Sequence, residues 1–313
     1  MDQFLLKFAR FRIYFGLLLL LSFFSACKTE VVNKTYDGNQ ALLPGTVPTV
    51  KVENYVNRLY IDLLGRVPTQ NEMNLEVARL KDGKLSKDVR LNLITRLQSS
   101  DTFVEGDSSY KKAYYQRIYD MVKSSLCEGA ADGEFTRHVG LAQFSLTIAR
   151  LEGDSVRVFQ ALEQMARNGR IVTSKDEYRF GSITLNEMYA RMLDNNVYDN
   201  INMNTFNFVN ASFDDLFYRF PTKIEFETAY SIIETNKLGA LMGSYASNKR
   251  EYCLLLCHSD EFYEGIIKWV FQNLLGREPR TEETAVLFKE FKSTGDLPAL
   301  QQKILVTDEY ANF

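Results

Sequence analysis

Two histidines, His138 and His258, and four cysteines are all that this 313-residue chain offers for nucleophilic, zinc or haem chemistry. Cys253-Leu-Leu-Leu-Cys257-His258 is one residue longer than the C-x-x-C-H spacing that attaches c-type haem. Cys127 is the third cysteine beyond Cys27, so outside the cytoplasm these three cannot all pair. These thiols read first as helix-core residues, with a disulfide, a metal contact or haem as the alternatives. The chain has no H-E-x-x-H, no G-x-S-x-G, no phosphate-binding G-x-x-x-x-G-K-[ST] and no dinucleotide-binding glycine fingerprint. Paired carboxylates of glycosidase type have no fixed sequence spacing. Glu225 with Glu227, Glu282 with Glu283 and Asp214 with Asp215 are adjacent acids, but they fall at helix starts or on solvated faces. No catalytic residue, metal ligand or cofactor is assigned.

The elements that would position such residues come from one recurring stretch. Tyr55–Thr69 reads YVNRLYIDLLGRVPT, Phe208–Thr222 reads FVNASFDDLFYRFPT, and Ile266–Pro279 reads IIKWVFQNLLGREP. Apolar residues at three-and-four spacing predict a helix in each. Gly65 and Gly276 supply a left-handed helix end, Arg66 and Arg277 a cation beside its carbonyls, and Pro68 and Pro279 a stop. Thr69-Gln-Asn-Glu72 and Thr222-Lys-Ile-Glu225 read as capping boxes that open the next helix. The second copy carries Arg219 and Pro221 but has Tyr218 in place of glycine, so a different corner is expected there. In the third, Arg280 reads as an insertion before Thr281, with no acid three residues beyond that threonine. Downstream lie three echoes, SSDTFVEG from Ser99, HSDEFYEG from His258 and VTDEYANF from Val306. Arg66, Arg219 and Arg277 should occupy equivalent corners and reach Asp101, Asp260 and Asp308. Helices should begin at Ser100, Ser259 and Thr307, which are good N-caps. Laid on the first copy, Cys253 and Cys257 fall at Ile94 and Gln98.

Between the first two copies, helices are expected over Ser108–Leu126, Glu134–Leu151, Val156–Arg167 and Ile183–Leu193. Asp194–Asn210 is rich in asparagine, which favours turns, and reads as an ordered loop. The chain is expected to be all-α, a helical globule built around three copies of a helix–corner–helix unit. The divisions are 1–26, a leader; 27–48, a tether; 49–207, with the first copy; and 208–313, with the second and third.

Lys7, Arg10 and Arg12 precede the short apolar run Phe15–Phe24, which has signal-peptide proportions. The run ends in Phe24-Ser25-Ala26-Cys27, which resembles the lipobox of bacterial lipoproteins; Phe24 replaces the usual leucine. The resemblance implies cleavage before Cys27 and a diacylglycerol on its thiol. Lys28–Pro48, poor in large apolar residues, would then be a tether. The whole chain has 37 basic and 40 acidic residues; the leader takes three and one, leaving 34 and 39 and a net charge of −5. That balance argues against nucleic acid as the main partner.

The repeats also resemble uncharacterised bacterial helical domains, related in appearance to phycobilisome linkers, with an L-Y-x-x-L-L-G-R-x-P-D pattern and a closing S-x-E-F. Leu59-Tyr60, Leu63-Leu64-Gly65-Arg66, Pro68 and Ser259-Asp260-Glu261-Phe262 carry that likeness. Ile61-Asp62-Leu63-Leu64-Gly65 and Pro68-Thr69 fit more loosely an L-D-L-x-G-x-P-P-T pattern of planctomycete-type cytochrome proteins. The resemblance implies a small module of extracellular or assembly proteins and transfers no catalytic residue. The expectation is a lipid-anchored envelope component, on the outer membrane, that binds other envelope proteins without catalysis. A carboxylate-based glycan or peptide hydrolase is the alternative.

Overall fold

Apolar stripes at helical spacing become buried faces from the first described helix onward. In α1 (Thr49–Leu64), Val52, Tyr55, Val56, Leu59, Tyr60 and Leu63 turn inward together. The computed structural model describes residues 47–313; the leader, Cys27 and the tether up to residue 46 lie outside the described residues. The chain is all-α apart from one short hairpin, with fifteen helices among the described residues. After α1 come α2 (Gln70–Asp82), α3 (Lys87–Ser99), α4 (Tyr110–Leu126), α5 (Asp132–Glu152), α6 (Ser155–Arg179), α7 (Leu185–Leu193), α8 (Asn196–Asn202) and α9 (Thr205–Phe217). Then follow α10 (Lys223–Thr235), β1 (Gly239–Leu241), β2 (Ser244–Ala246), α11 (Lys249–Cys257), α12 (Asp260–Leu275), α13 (Thr281–Thr294), α14 (Leu297–Leu305) and α15 (Asp308–Ala311). None of these helices is long and apolar enough to cross a membrane.

The corners are built alike. Gly65 and Gly276 end α1 and α12 in the left-handed region, and Tyr218 does the same for α9 at φ 58° and ψ 35°. The second corner therefore keeps the geometry without glycine, at the cost a Cβ brings there. Thr69 and Thr222 cap α2 and α10 with complete capping boxes. The third start differs from expectation. Arg280 is no insertion; it stands where Thr69 stands, and Glu283 closes the box on its backbone N–H at 2.7 Å.

Residues 47–313 form one compact unit, and a single core runs through both sides of residues 207 and 208. The last copy folds back on the first. Tyr55 donates to the Leu305 carbonyl at 3.2 Å, Tyr310 donates to Asp62 at 2.7 Å, and Arg58 reaches the carbonyls of Leu274 and Tyr310. The Asn-rich stretch is not a loop but α8 and the start of α9. Asn195 and Asn204 are their N-caps, accepting from Val197 and Tyr198 and from Asn207. The turn preference of asparagine is thus used to begin helices rather than avoid them. The hairpin β1–β2, unforeseen in the sequence, closes on Met242 and Gly243, both at positive φ.

α5 and α6 form the longest antiparallel pair, and α6 runs on to Arg179, well past Arg167. Asp132 fixes the base of this arm, accepting from Tyr119 and Lys123 of α4 at 2.7 Å each and from Lys175 of α6 at 3.0 Å. Burial alone would raise the Asp132 carboxyl; these three donors outweigh it and hold the group down at about 2.

Candidate functional site

The residues singled out for chemistry resolve one by one into structure. Cys253 and Cys257 lie wholly inside the core on α11, and Cys127 is buried against α7. Burial pushes all three thiols up, Cys127 to about 12, so little reactive thiolate exists at neutral pH. His258 ends α11 and donates its Nδ1–H to the Leu254 carbonyl at 2.7 Å.

The three arginines stand at separate, equivalent corners, and each makes one pattern of bonds. Arg66 forks onto Glu72 with two bonds of 2.8 Å, donates Nε–H to Asp107 at 2.7 Å, and lies over the Tyr60 ring at 5.3 Å. Arg219 forks onto Glu225 at 2.9 and 2.7 Å, reaches Glu261 at 2.7 Å and covers Phe213 at 5.1 Å. Arg277 forks onto Glu283 at 2.8 Å twice, reaches Glu309 at 2.6 Å and covers Phe271 at 5.1 Å. The glutamate six residues on is the capping-box acid, so one carboxylate closes the corner and caps the helix together.

Asp101, Asp260 and Asp308 are not the partners. They pair instead with Lys111, Lys292 and Arg90. Ser259 and Thr307 do open helices, and the acid that reaches the corner is the next residue, Glu261 or Glu309, one helical step around the axis. In the first copy Ser100 opens no helix; α4 waits until the Ser109 cap, and Asp107 in the intervening loop reaches Arg66.

Acid–base chemistry needs a carboxyl held near neutrality facing another across a cleft. Glu225 and Glu283 are pulled below the ordinary range by their arginines. An apolar cavity of about 360 Å³ in the third copy has Glu283 and Glu309 at its edge, but both are fastened to Arg277. Asp215 is pushed up to about 6, chiefly by burial, with exposed Asp214 adding and the Tyr198 hydroxyl at 2.7 Å opposing. Its partner is thus a tyrosine, not a second acid across a cleft.

A test of this environment follows. The folded pKa of Asp215 lies above its unfolded value of 3.8, so folding favours the protonated form. Stability therefore falls as pH rises from about 4 to about 6, and the penalty is complete above that. Asp215→Asn, which keeps the acceptor for Tyr198, should stabilise the protein at pH 7 by about 1–2 kcal/mol. Urea melts should show that gain vanishing near pH 4; a loss of stability at pH 7 would contradict the burial argument.

What the molecule does present outward is the distal half of the α5–α6 arm. Inside the arm, Phe135, Ala142, Leu146 and Ala149 of α5 and Ala161 and Ile171 of α6 are buried. Each helix carries a second apolar stripe that is exposed among the described residues. Leu141, Phe144 and Leu151 are 57%, 68% and 81% exposed, and Val156, Phe159 and Leu162 are 65%, 69% and 45% exposed. Their spacing continues the three-and-four helical rhythm, with half-buried Ile148 between Phe144 and Leu151. In the sequence both stripes merge into general hydrophobicity. Comparison of the chain with protein-family models, with curated proteins and with solved structures returns no match.

Proposed function

We propose that the protein is a lipid-anchored component of the cell envelope, on the outer membrane, that binds or assembles other envelope proteins without catalysis. The observation that carries this reading is the α5–α6 arm. Scattered exposed leucines are ordinary, but aromatic and aliphatic residues repeated along two helical stripes mark a contact surface. Full burial of each such side chain contributes roughly 1.5–3 kcal/mol, enough in sum to offset the cost of association. The occupant is an amphipathic helix of a partner protein, because stripes at this spacing accept side chains from another helix. The acidic balance of the chain supports a protein rather than a nucleic-acid partner.

The address rests on Lys7, Arg10, Arg12 and the Phe24–Cys27 sequence. A diacylated Cys27 would hold the protein at a bilayer, each buried methylene contributing about 0.8 kcal/mol. Cells grown with labelled fatty acid should label the native chain, and Cys27→Ala should shed both label and membrane location. For the arm, a photo-crosslinking residue at Phe144 or Phe159 should capture the same small set of envelope proteins, while one at Lys289 on α13 should not. Phe144→Glu should abolish capture from position 159, and Phe159→Glu capture from position 144, with the melting temperature unchanged. Crosslinks only to lipid, or only to further copies of this chain, would reject an assembly role with other proteins.

A further inference from the structure

The three corners are built alike but are not equally filled. At the first, Tyr110 opens α4 and sets its ring edge-on to Tyr60, with centroids 5.9 Å apart and planes at 87°. Its hydroxyl stands 3.1 Å from that of Tyr60 and donates to Glu72 Oε1 at 2.7 Å. Glu72 thus accepts the Arg66 fork, the Thr69 N–H and a phenol. At the second corner the hairpin lies against α10, where a Cβ built on Gly239 would stand 3.0 Å from Thr228 Cγ2. Counted from the corner arginine, Thr228 answers to Leu75 in the first copy and Val286 in the third.

The third corner has the apolar cavity of about 360 Å³ instead. Phe271, Leu275, Glu283 and Val286 line it, at the register of Tyr60, Leu64, Glu72 and Leu75. Glu309 does for Arg277 what Asp107 does for Arg66. No described residue gives Glu283 the hydroxyl that Tyr110 gives Glu72. Exposure records the difference: Leu75 is 48% exposed and Val286 74%, and Leu64 is buried where Leu275 is half-buried. The lone pair left on Glu283 Oε1 is met at 3.2 Å only by Arg280, whose side chain is 74% exposed.

The lining narrows the ligand. Apart from Glu282, exposed at the rim, its charges are matched: Arg277 by Glu283 and Glu309, Arg280 by Glu283, and Lys303 by Glu290. A neutral group is therefore favoured over an ion. Arg277 first of all keeps Glu283 ionised, so this carboxylate only accepts, and the ligand must bring the donor. Leu275, Val286, Leu287 and Ile304 are apolar walls suited to a ring. A neutral ring with one hydroxyl donor is a phenol. The volume, at the low end for small-molecule sites, has room for such a side chain with its flanking backbone.

We infer that the third-copy cavity binds the side chain of a tyrosine presented by a partner protein, with its ring against Phe271, Leu275 and Val286 and its hydroxyl on Glu283, as Tyr110 is held within the first copy. The site is separate from the α5–α6 arm and stands without the assembly reading.

The test is ligand-detected NMR titration of the full-length protein in lipid nanodiscs with N-acetyl-tyrosinamide, N-acetyl-phenylalaninamide and p-cresol. The tyrosine amide should bind about fivefold more tightly than the phenylalanine amide, which lacks the charge-assisted hydrogen bond. Val286→Trp, which fills the cavity from an exposed position, should abolish binding with an unchanged melting temperature. Arg280→Ala, which keeps the backbone cap and frees the Glu283 lone pair, should strengthen it. In cells, a photo-crosslinking residue at Glu282 should join the protein to a tyrosine-bearing peptide of another chain, identified by mass spectrometry. Absence of binding, equal or tighter binding of the phenylalanine amide, or binding retained by Val286→Trp would overturn the assignment. So would weaker binding to Arg280→Ala, p-cresol binding without the tyrosine amide, or crosslinked peptides that lack tyrosine.

Discussion

Arg66→Ala should destabilise the protein by about 2–3 kcal/mol at pH 7, and the same change should cost less at Arg219 and least at Arg277. The bond sets are nearly identical, so the gradient comes from solvent. Arg66 is 24% exposed and its partners Glu72 and Asp107 only 14% and 12% exposed. Arg277 is 30% exposed and Glu309 51% exposed, so water screens what the truncation leaves behind. At the first corner, two carboxylates would remain close together with little access to water, and Tyr110 would still point its hydroxyl at Glu72 from 2.7 Å. For the third corner a loss of about 1 kcal/mol is expected.

The pH dependence has a definite sign. Burial would raise the Glu72 carboxyl, but Arg66, the Thr69 N–H and the Tyr110 hydroxyl hold it at about 2; Arg219 first of all holds Glu225 at about 2. A carboxyl depressed from 4.5 contributes stability that is whole above about pH 4.5 and disappears as pH falls towards 2. The difference between wild type and Arg66→Ala should therefore be constant near neutrality and close across that interval. Arg66→Lys should recover only part of the loss, because an ammonium cannot serve two carboxylates with a planar fork. Chemical denaturation at pH 7, 4 and 2.5 checks this. Equal losses at all three corners, or a difference that persists to pH 2, would show that the clasps are not electrostatic.

Much of this is written in the sequence. The helix stripes, the glycine ends and two of three capping boxes follow from residue type and spacing alone. So did the clasp in principle. An aromatic stands six residues before each arginine and a glutamate six residues after it, in all three copies: Tyr60 and Glu72, Phe213 and Glu225, Phe271 and Glu283. Asp101, Asp260 and Asp308 follow the cap residues directly and are the more conspicuous acids. Choosing Glu261 over Asp260 needs knowledge of which side of α12 faces the corner, a matter of one residue around the helix. The α5–α6 arm was legible as two helices but not as an exposed pair, since an apolar helix reads the same whether buried or bare. Two cavities between α6, α7 and α11 are not legible at all, because no local spacing joins Arg170 to Arg250, which line both and stand 80 residues apart.

One glycine illustrates the same limit with a large expected effect. Gly265 lies inside α12, where a glycine costs about 1 kcal/mol relative to alanine and a helix would ordinarily gain from replacing it. Here the replacement should be destabilising. α9 ends against this point, and a Cβ built on Gly265 would stand 2.0 Å from the Leu216 carbonyl oxygen and 3.2 Å from its carbon. Both groups are backbone, so no side chain can swing away, and the second and third copies would have to part. The same register position carries Asn54 in α1 and Asn207 in α9, so the close approach belongs to this junction alone. Overpacking of this kind costs about 1–3 kcal/mol and sometimes more, set against the helix gain of about 1 kcal/mol. Gly265→Ala should lose about 2–3 kcal/mol net, and Gly265→Val should fail to fold at 37 °C. The matched control is Gly140→Ala in α5, where nothing lies within 4 Å of the added carbon. That variant should gain about 0.5–1 kcal/mol. Opposite signs in urea denaturation of the two alanine variants would establish that α9 and α12 meet backbone to backbone; a stabilised Gly265→Ala would refute it.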